Sequence, residues 1–239
     1  MTTIGLLYPG YAAEDDYPFI ETLLPEGIGL PVVHTSLDQD AHEVEALLDL
    51  GRSDRLLAGA REFAGTGVDA LMWACTSGSF VFGWNGAKQQ VAEVAHALGV
   101  PASSTSIAFI DALERLGVRR VAIAATYPDE VSRHFEEFLA TGGYEVLSLV
   151  SHDIPTAALA GELDAAGVID LARSNDAPEA EVVLLPDTAL HTARIIPDLE
   201  RELGKPVLTA NQVTVWKGLQ LAGRDVRVPE LGTLFGGRA

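Results

Sequence analysis

The sequence contains one cysteine, Cys75, placed where an apolar run gives way to small polar residues. A thiol can act as a nucleophile or carry a proton. The residues that follow, Thr76 and Ser77, offer hydroxyl and backbone N–H groups that suit an anion. Such a loop, leading into a helix, predicts a Cys75 pKa below the ~8.5 of a free thiol. The alternative is a buried structural thiol, because free cysteine is among the most buried residue types.

The second half of the chain repeats the pattern of the first. DALMWACTSG (69–78) matches EVVLLPDTAL (181–190), which places Asp187 opposite Cys75 and Thr188 opposite Thr76. A later pair of segments also matches in the same order, LGVPASSTSIAFIDALERLG with LGKPVLTANQVTVWKGLQLAG. The short match of LLYP with ATYP pairs Tyr8 with Tyr127. Three matches in one order predict two homologous lobes.

Apolar runs typical of strands alternate with segments of helical periodicity along most of the chain. The strand-like runs are TIGLLY, LPVVHT, DALMWA, VAIAAT, EVLSLV, EVVLLP and KPVLTA. This alternation predicts an α/β fold of two pseudo-symmetric lobes, each a parallel sheet flanked by helices. We place the first lobe at residues 1–114 plus 211–239 and the second at 115–210, in one compact unit.

Four candidate functional residues follow apolar strands and so fall at the carboxyl ends of the sheets, where open α/β sheets bind ligands. They are Tyr8, Cys75, Tyr127 and Asp187. If the lobes face each other, these residues converge on one cleft, and Asp187 is a candidate proton carrier. Plainer roles stay open, since Asp187, Thr76 and Ser77 are also common helix caps and Tyr127 fits a packed turn.

The charge balance limits the partners. The chain has 16 Lys and Arg against 34 Asp and Glu, a net charge of −18, which repels nucleic acid and anionic membranes. No apolar stretch approaches the ~20 residues of a membrane span, and the start lacks the features of a signal peptide. With a lone cysteine these features predict a cytoplasmic protein. The histidines show no metal-ligand spacing, and no phosphate-binding glycine motif indicates a nucleotide cofactor.

Taken with the loop around Cys75, several segments resemble the aspartate/glutamate racemase superfamily, and within it the branch of maleate cis–trans isomerases and arylmalonate decarboxylases. The segments are LGVRRVAIAATYPDEV, IIPDLERELGKPVL and LGTLFG. The resemblance implies two lobes with the active site in the cleft between them, no metal or organic cofactor, and a small carboxylate or dicarboxylate substrate. It permits a homodimer.

The resemblance also implies roles for particular residues. The first-lobe thiol falls on Cys75, and the second-lobe thiol of the two-cysteine members falls on Asp187, which is a departure from the family pattern. The implied substrate-binding residues are Thr76, Ser77, Tyr127, Thr188 and, with weaker support, Tyr8. Hydroxyl and N–H donors would stabilise the negative charge that develops next to a carboxylate.

The leading functional prediction is a cofactor-independent isomerase of small carboxylic acids, similar to maleate cis–trans isomerase, in which the Cys75 thiolate adds to the substrate and Asp187 manages the proton. Three alternatives stay open at this point: a decarboxylase of substituted malonates, a racemase that uses Cys75 and Asp187 as unlike bases, and a carboxylate-binding protein without catalysis. Product analysis separates them through altered geometry, CO₂ release, loss of optical rotation or binding without turnover.

Overall fold

The computed structural model describes residues 1–236 and contains two parallel β-sheets covered by helices. The predicted α/β class, with two lobes that each hold a parallel sheet, is confirmed. The exact lobe boundaries stay a prediction, and residues 237–239 lie outside the described residues. In the described part of the chain, no helix has the length and apolar character needed to cross a membrane.

The first sheet is built from residues of the first half of the chain. Its strands are β1 (Thr2–Pro9), β2 (Ile28–Gly29), β3 (Val32–Thr35), β4 (Ala70–Trp73) and β5 (Ala102–Ser104). The strand order is β2-β1-β4-β5, and β3 continues the edge beyond β2 by pairing with the upper part of β1. The helices of this half are α1 (Asp16–Leu23), α2 (Val44–Leu50), α3 (Ser53–Glu62), α4 (Ser77–Phe80), α5 (Gly83–Leu98) and α6 (Thr105–Leu116).

The second sheet repeats this arrangement. Its strands are β6 (Arg120–Ala125), β7 (Glu145–Ser151), β8 (Val182–Leu185) and β9 (Val207–Thr209), in the order β7-β6-β8-β9. The remaining helices are α7 (Asp129–Thr141), α8 (Ala157–Gly161), α9 (Ala165–Asn175), α10 (Ile196–Leu203), α11 (Ala210–Leu221) and α12 (Gly232–Gly236), with a 3₁₀ turn at Pro229–Leu231. Helix α11 packs against α6 and β4 of the first sheet.

The central strands β1, β4, β6 and β8 are buried on both faces, which explains their nearly continuous apolar runs. In β4, Met72 belongs to the largest apolar cluster, which also contains Leu184 of β8 and so joins the two lobes. The neighbouring residue Trp73 faces the other way, into a separate cluster with Leu56 of α3. The two sheets therefore share one apolar core.

The register of the strands tests the internal repeat. Leu71 pairs with Ala102 in the first sheet, and Val183, which lies 112 residues after Leu71, pairs with Val207 in the second. This is the offset that relates Cys75 to Asp187, so their predicted equivalence is confirmed.

The other predicted pairing fails. Ile4 and Val121 occupy equivalent positions beside the central strands, so the equivalent of Tyr8 is Ala125 and not Tyr127. The Tyr-Pro match is wrong by two residues: Tyr8 still lies within its strand, whereas Tyr127 follows the end of its own.

Candidate active site

A cavity of about 580 Å³ opens at the carboxyl ends of β1, β3, β4 and β8. This volume lies in the range of small-molecule sites, roughly 300–1,000 Å³. Five of the seven residues predicted from the sequence line it: Tyr8, Cys75, Ser77, Asp187 and Thr188. The other two, Thr76 and Tyr127, are not part of the lining and are buried at 0% and 1% exposure.

Cys75 lies two residues beyond β4, at the start of the four-residue helix α4. Its sulfur accepts a hydrogen bond from the backbone N–H of Gly78 at 3.3 Å and lies 3.9 Å from the hydroxyl oxygen of Ser77. The residue is 2% exposed. Burial raises the pKa of the Cys75 thiol to about 12, the charge of Asp187 adds to this rise, and the two donors oppose it.

The prediction of a lowered Cys75 pKa is therefore wrong. A helix of one turn offers few aligned N–H groups, and their stabilisation of a thiolate is smaller than the desolvation caused by burial. In the resting protein Cys75 is a neutral thiol that borders the cavity.

Asp187 lies two residues beyond β8, in the position of the second lobe that matches Cys75. Its Oδ1 accepts a hydrogen bond from the backbone N–H of Ala189 at 2.9 Å, and its Oδ2 accepts one from the hydroxyl of Thr126. The bond to Ala189 forms a local turn, as expected for a helix-capping aspartate. The bond from Thr126 comes from another part of the chain, directly after β6. Sequence reasoning missed Thr126, although it directly precedes the Tyr127 that was singled out.

Tyr8 and Tyr127 hold the Asp187 loop on both sides. The Tyr8 hydroxyl donates to the carbonyl oxygen of Thr188 at 3.0 Å, and the Tyr127 hydroxyl donates to that of Pro186 at 3.1 Å. Burial raises the pKa of both phenols well above the usual value, and the charge of Asp187 raises it further. Both phenols are therefore neutral donors, which in this structure contact the loop backbone.

A buried polar network lies beneath the same loop. Asp16, at the start of α1, accepts hydrogen bonds from the backbone N–H groups of Thr192 (3.0 Å) and Ala193 (3.1 Å) and from the Asn211 amide (3.0 Å). The amide of Asn211 also donates to the carbonyl oxygen of Thr188 at 3.2 Å. Desolvation raises the pKa of Asp16, and these three donors counter the rise. No local pattern predicts this network, since its members are far apart in the chain.

One wall of the cavity is a first-lobe loop that is tied to the second lobe. The Asp40 carboxylate accepts hydrogen bonds from the backbone N–H groups of Ala157 (2.9 Å) and Ala158 (3.0 Å) at the start of α8. Nearby, the backbone N–H of His42 donates to the carbonyl oxygen of Pro155 at 2.8 Å. Asp40 and His42 both line the cavity, and neither was predicted as a site residue.

The lining limits what the site can bind. Among the described residues that form it there is no lysine or arginine, so an anionic ligand relies on hydroxyl and N–H donors. Thr76 is fully buried and does not belong to the lining, so the serine and threonine hydroxyls that line the cavity beside Cys75 and Asp187 are those of Ser77 and Thr188. No group of three or more His, Cys, Asp or Glu side chains within residues 1–236 could hold a metal ion.

The chain is similar to characterised proteins over nearly its whole length. The sequence profile of the family described as arylmalonate decarboxylase matches residues 50–235. The arylmalonate decarboxylase of Bordetella bronchiseptica is 32% identical over 98% of this chain and 96% of its own length. The maleate isomerase of Geobacillus stearothermophilus is 29% identical over 58% of this chain and 55% of its own.

A solved structure matches both lobes. It is the liganded form of an arylmalonate decarboxylase double mutant in which a glycine is replaced by cysteine and a cysteine by serine. The TM-score is 0.85 at 28% sequence identity, with 99% of each chain covered. Sequence and structure agree: the chain belongs to the arylmalonate decarboxylase family, in the branch of the aspartate/glutamate racemase superfamily that also holds the maleate isomerases.

Proposed function

We propose that this chain is a cofactor-independent decarboxylase of 2-substituted malonates, in which Cys75 delivers the proton that replaces the departing carboxyl group. The observation that carries the proposal is the Cys75 thiol, which lines the cavity and is 2% exposed. Because burial raises the pKa of this thiol to about 12, it enters the reaction as an acid. A neutral acid beside the substrate suits the protonation of a carbanion.

The proposed step begins when the bond between the α-carbon and one carboxyl group breaks and CO₂ leaves. The electron pair of that bond passes to the α-carbon and the retained carboxylate, which together become an enediolate. Cys75 gives its proton to the α-carbon, and the resulting thiolate takes a proton from water. Each turnover releases one CO₂ and consumes one proton. The negative charge of Asp187 favours the protonated form of Cys75 between turnovers.

The enediolate carries more negative charge than the retained carboxylate, so the site must supply donors. Ser77 and Thr188 line the cavity, and their hydroxyls are the candidate donors. A well-placed donor in a dry site lowers the barrier by about 3 kcal/mol. The protein has a net charge of −18, and the lining has no lysine or arginine among the described residues. Neutral hydroxyl donors can therefore stabilise the anion without a positive side chain.

The cavity and the relatives support this reaction class. The apolar residues Leu47 and Leu50 of α2 line part of the cavity of about 580 Å³, which leaves room for an aryl or alkyl substituent beside the two carboxylates. The relative that is 32% identical over nearly the whole chain is an arylmalonate decarboxylase. The solved double mutant of an arylmalonate decarboxylase gained one cysteine and lost another, and this chain has a single cysteine, in its first lobe.

Cis–trans isomerisation of an unsaturated dicarboxylate is the second candidate. It is favoured by the Gly78 N–H group, which donates to the Cys75 sulfur at 3.3 Å and would stabilise a thiolate. In that reaction the thiolate adds to one alkene carbon, and the carbon–carbon double bond becomes a single bond. Rotation about this carbon–carbon bond and elimination of the thiolate then restore the double bond in the other geometry. A relative named maleate isomerase is 29% identical over part of the chain.

Proton NMR in D₂O with 2-phenylmalonate and with maleate separates the two candidates. We expect phenylacetate with one deuterium at the α-carbon, together with CO₂, and we expect Cys75→Ser to lose this activity. Conversion of maleate to fumarate, with 2-phenylmalonate unchanged, would replace the first candidate by the second. Saturable binding of both acids without turnover would indicate a carboxylate-binding protein instead.

A further inference from the structure

A second group of hydroxyls lies in the cavity, away from Cys75. Thr35, the last residue of β3, lines the cavity, is 4% exposed, and its hydroxyl has no hydrogen-bond partner among the described residues. A buried hydroxyl without a partner is unfavourable, by roughly the cost of its lost hydration, unless a ligand or water completes it. The threonine methyl lies close to Gly59 of α3.

The strand register fixes where Thr35 stands relative to Cys75. Thr35 is level with Pro9 of β1, and Trp73 is level with Leu7, so Cys75, two residues after Trp73, reaches the height of Pro9. β3 and β4 pair with opposite edges of β1, which separates them by two strand spacings, roughly 10 Å. A group that reaches both is longer than a malonate unit and about as long as a para-substituted phenyl ring.

Neighbouring residues determine the chemical class of the ligand. Ser36 is exposed and also lines the cavity, and its hydroxyl accepts a hydrogen bond from Arg55 at 3.1 Å, so its own O–H can donate to a ligand. Arg55 is already paired with Asp38 at 2.7 Å and with Asp49 at 2.5 Å. The local charge is therefore negative in sum, which favours an uncharged oxygen acceptor over a carboxylate.

We propose that Thr35 and Ser36 form a second substrate subsite, which binds an uncharged oxygen acceptor at the far end of the malonate substituent. The natural substrate is then a malonate whose substituent carries a carbonyl, ether or hydroxyl oxygen. This inference rests on the proposed function, because the proposed reaction places the reacting carbon of the ligand at Cys75 and so sets which end of the ligand reaches Thr35. The subsite itself follows from the empty hydrogen-bonding capacity of Thr35.

Binding of matched products by calorimetry tests the subsite. The probes are 4-acetylphenylacetate, which carries the acceptor, and 4-isopropylphenylacetate, which has the same shape without it. One hydrogen bond to an uncharged acceptor should give the wild-type protein a roughly two- to tenfold preference for the acetyl compound. Thr35→Val keeps the side-chain shape and should lose this preference, whereas Thr35→Ser should retain it. The anionic 4-carboxyphenylacetate should bind more weakly than the acetyl compound.

Thr192→Val is the matched control. The hydroxyl of Thr192 is also buried, at 1% exposure, and lacks a partner among the described residues, yet it does not line the cavity. This variant should keep the wild-type preference. An equal preference in Thr35→Val and wild type, or tightest binding of the carboxy compound, would overturn the proposal.

A titration with acetone separates the subsite from the proposed reaction, since acetone has the acceptor and no acid group. In protein labelled at threonine methyl groups, the Thr35 resonance should shift in a saturable way and the Thr192 resonance should stay in place. A Thr35 shift without binding of any arylacetate would remove the proposed function and leave the subsite standing. Binding of arylacetates without a shift of the Thr35 resonance would overturn the subsite and leave the proposed function standing.

Discussion

Cys75 and Asp187 each lie two residues beyond a central strand, β4 and β8, and they line the same cavity from opposite lobes. The two side chains are unlike acids in equivalent positions. The Asp187 carboxylate is held by Thr126 and by the backbone of Ala189, while the thiol meets one N–H group. An internal repeat has thus placed a thiol and a carboxyl group at equivalent positions of the two lobes, beside one cavity.

The first prediction concerns the reactivity of Cys75. Burial raises the pKa of its thiol to about 12, so the thiolate fraction, and with it the rate of alkylation by iodoacetamide, should increase about tenfold per pH unit from pH 7 to about pH 10. The chain has one cysteine, so a single modified position reports the rate by mass spectrometry. An alkylation rate that levels off above pH ~8.5, the pKa of a free thiol, would contradict the raised pKa.

The same assay tests the coupling between the lobes. Asp187→Asn removes the negative charge that raises the pKa of Cys75, so the alkylation profile should move to lower pH. Asp198→Asn is the control, because that carboxylate lies on α10 and pairs with Arg201 at 2.5 Å. An unchanged profile in Asp187→Asn would show that the two residues do not interact across the cavity.

A second prediction concerns the tyrosines that bracket the Asp187 loop. Tyr127→Phe leaves the carbonyl oxygen of Pro186 without its donor, and Tyr8→Phe removes one of the two donors to the carbonyl oxygen of Thr188, which keeps the Asn211 amide. Turnover should fall by roughly tenfold or more, because the loop presents charge to the reacting centre, while the loss of stability stays near 1 kcal/mol.

Tyr144→Phe is the matched control for these variants, since its buried hydroxyl donates to the carbonyl oxygen of Ile110 at 3.2 Å, away from the cavity. Values of kcat and KM and urea unfolding of the three variants provide the measurement. Equal kinetic losses in all three would assign Tyr8 and Tyr127 a packing role alone.

Sequence patterns could predict the fold and the Cys75–Asp187 pair because both depend on strand periodicity and on a repeat offset that the sheets preserve. The Tyr8–Tyr127 pairing failed because a two-residue motif does not fix the strand register. The direction of the Cys75 pKa shift failed because burial is set by tertiary packing. Thr35 and the Asp16–Asn211 network gave no local signal, since each depends on neighbours from distant parts of the chain.

A third prediction concerns Asp16, which joins α1 to the loop that carries Asp187. Asp16→Ala leaves the buried N–H groups of Thr192 and Ala193 without an acceptor and removes one acceptor of the Asn211 amide, so it should lower the free energy of unfolding by about 2–4 kcal/mol. Urea unfolding at pH 7 measures this loss. A loss below 1 kcal/mol would show that water replaces the carboxylate.

The pH dependence of the same group has a defined sign. The folded-state pKa of Asp16 is raised above its unfolded value by burial, so its contribution to stability is present below the unfolded pKa of about 3.9 and is lost as pH rises through the folded pKa. Relative to Asp16→Asn, which cannot ionise, the wild-type protein should therefore lose stability as pH rises from about 4. Parallel stability curves of the two proteins would contradict this direction.

The last prediction uses the pseudo-symmetry directly. Asp187→Cys places a thiol in each lobe at equivalent positions, which in the proposed reaction face opposite sides of the enediolate. A thiol is a weaker acid than a carboxylic acid by roughly 4–5 pKa units, and with a thiol on each face the α-carbon can lose a proton to one lobe and regain it from the other. The variant should fold, because the two side chains are similar in size and the loop remains held by Tyr8 and Tyr127. Chiral 2-phenylpropionate in D₂O should then lose optical rotation together with deuterium uptake at the α-carbon. Asp187→Ser, which lacks a titrating group, is the control and should show neither, whereas equal exchange in both variants would mean that Asp187 does not face the reacting carbon.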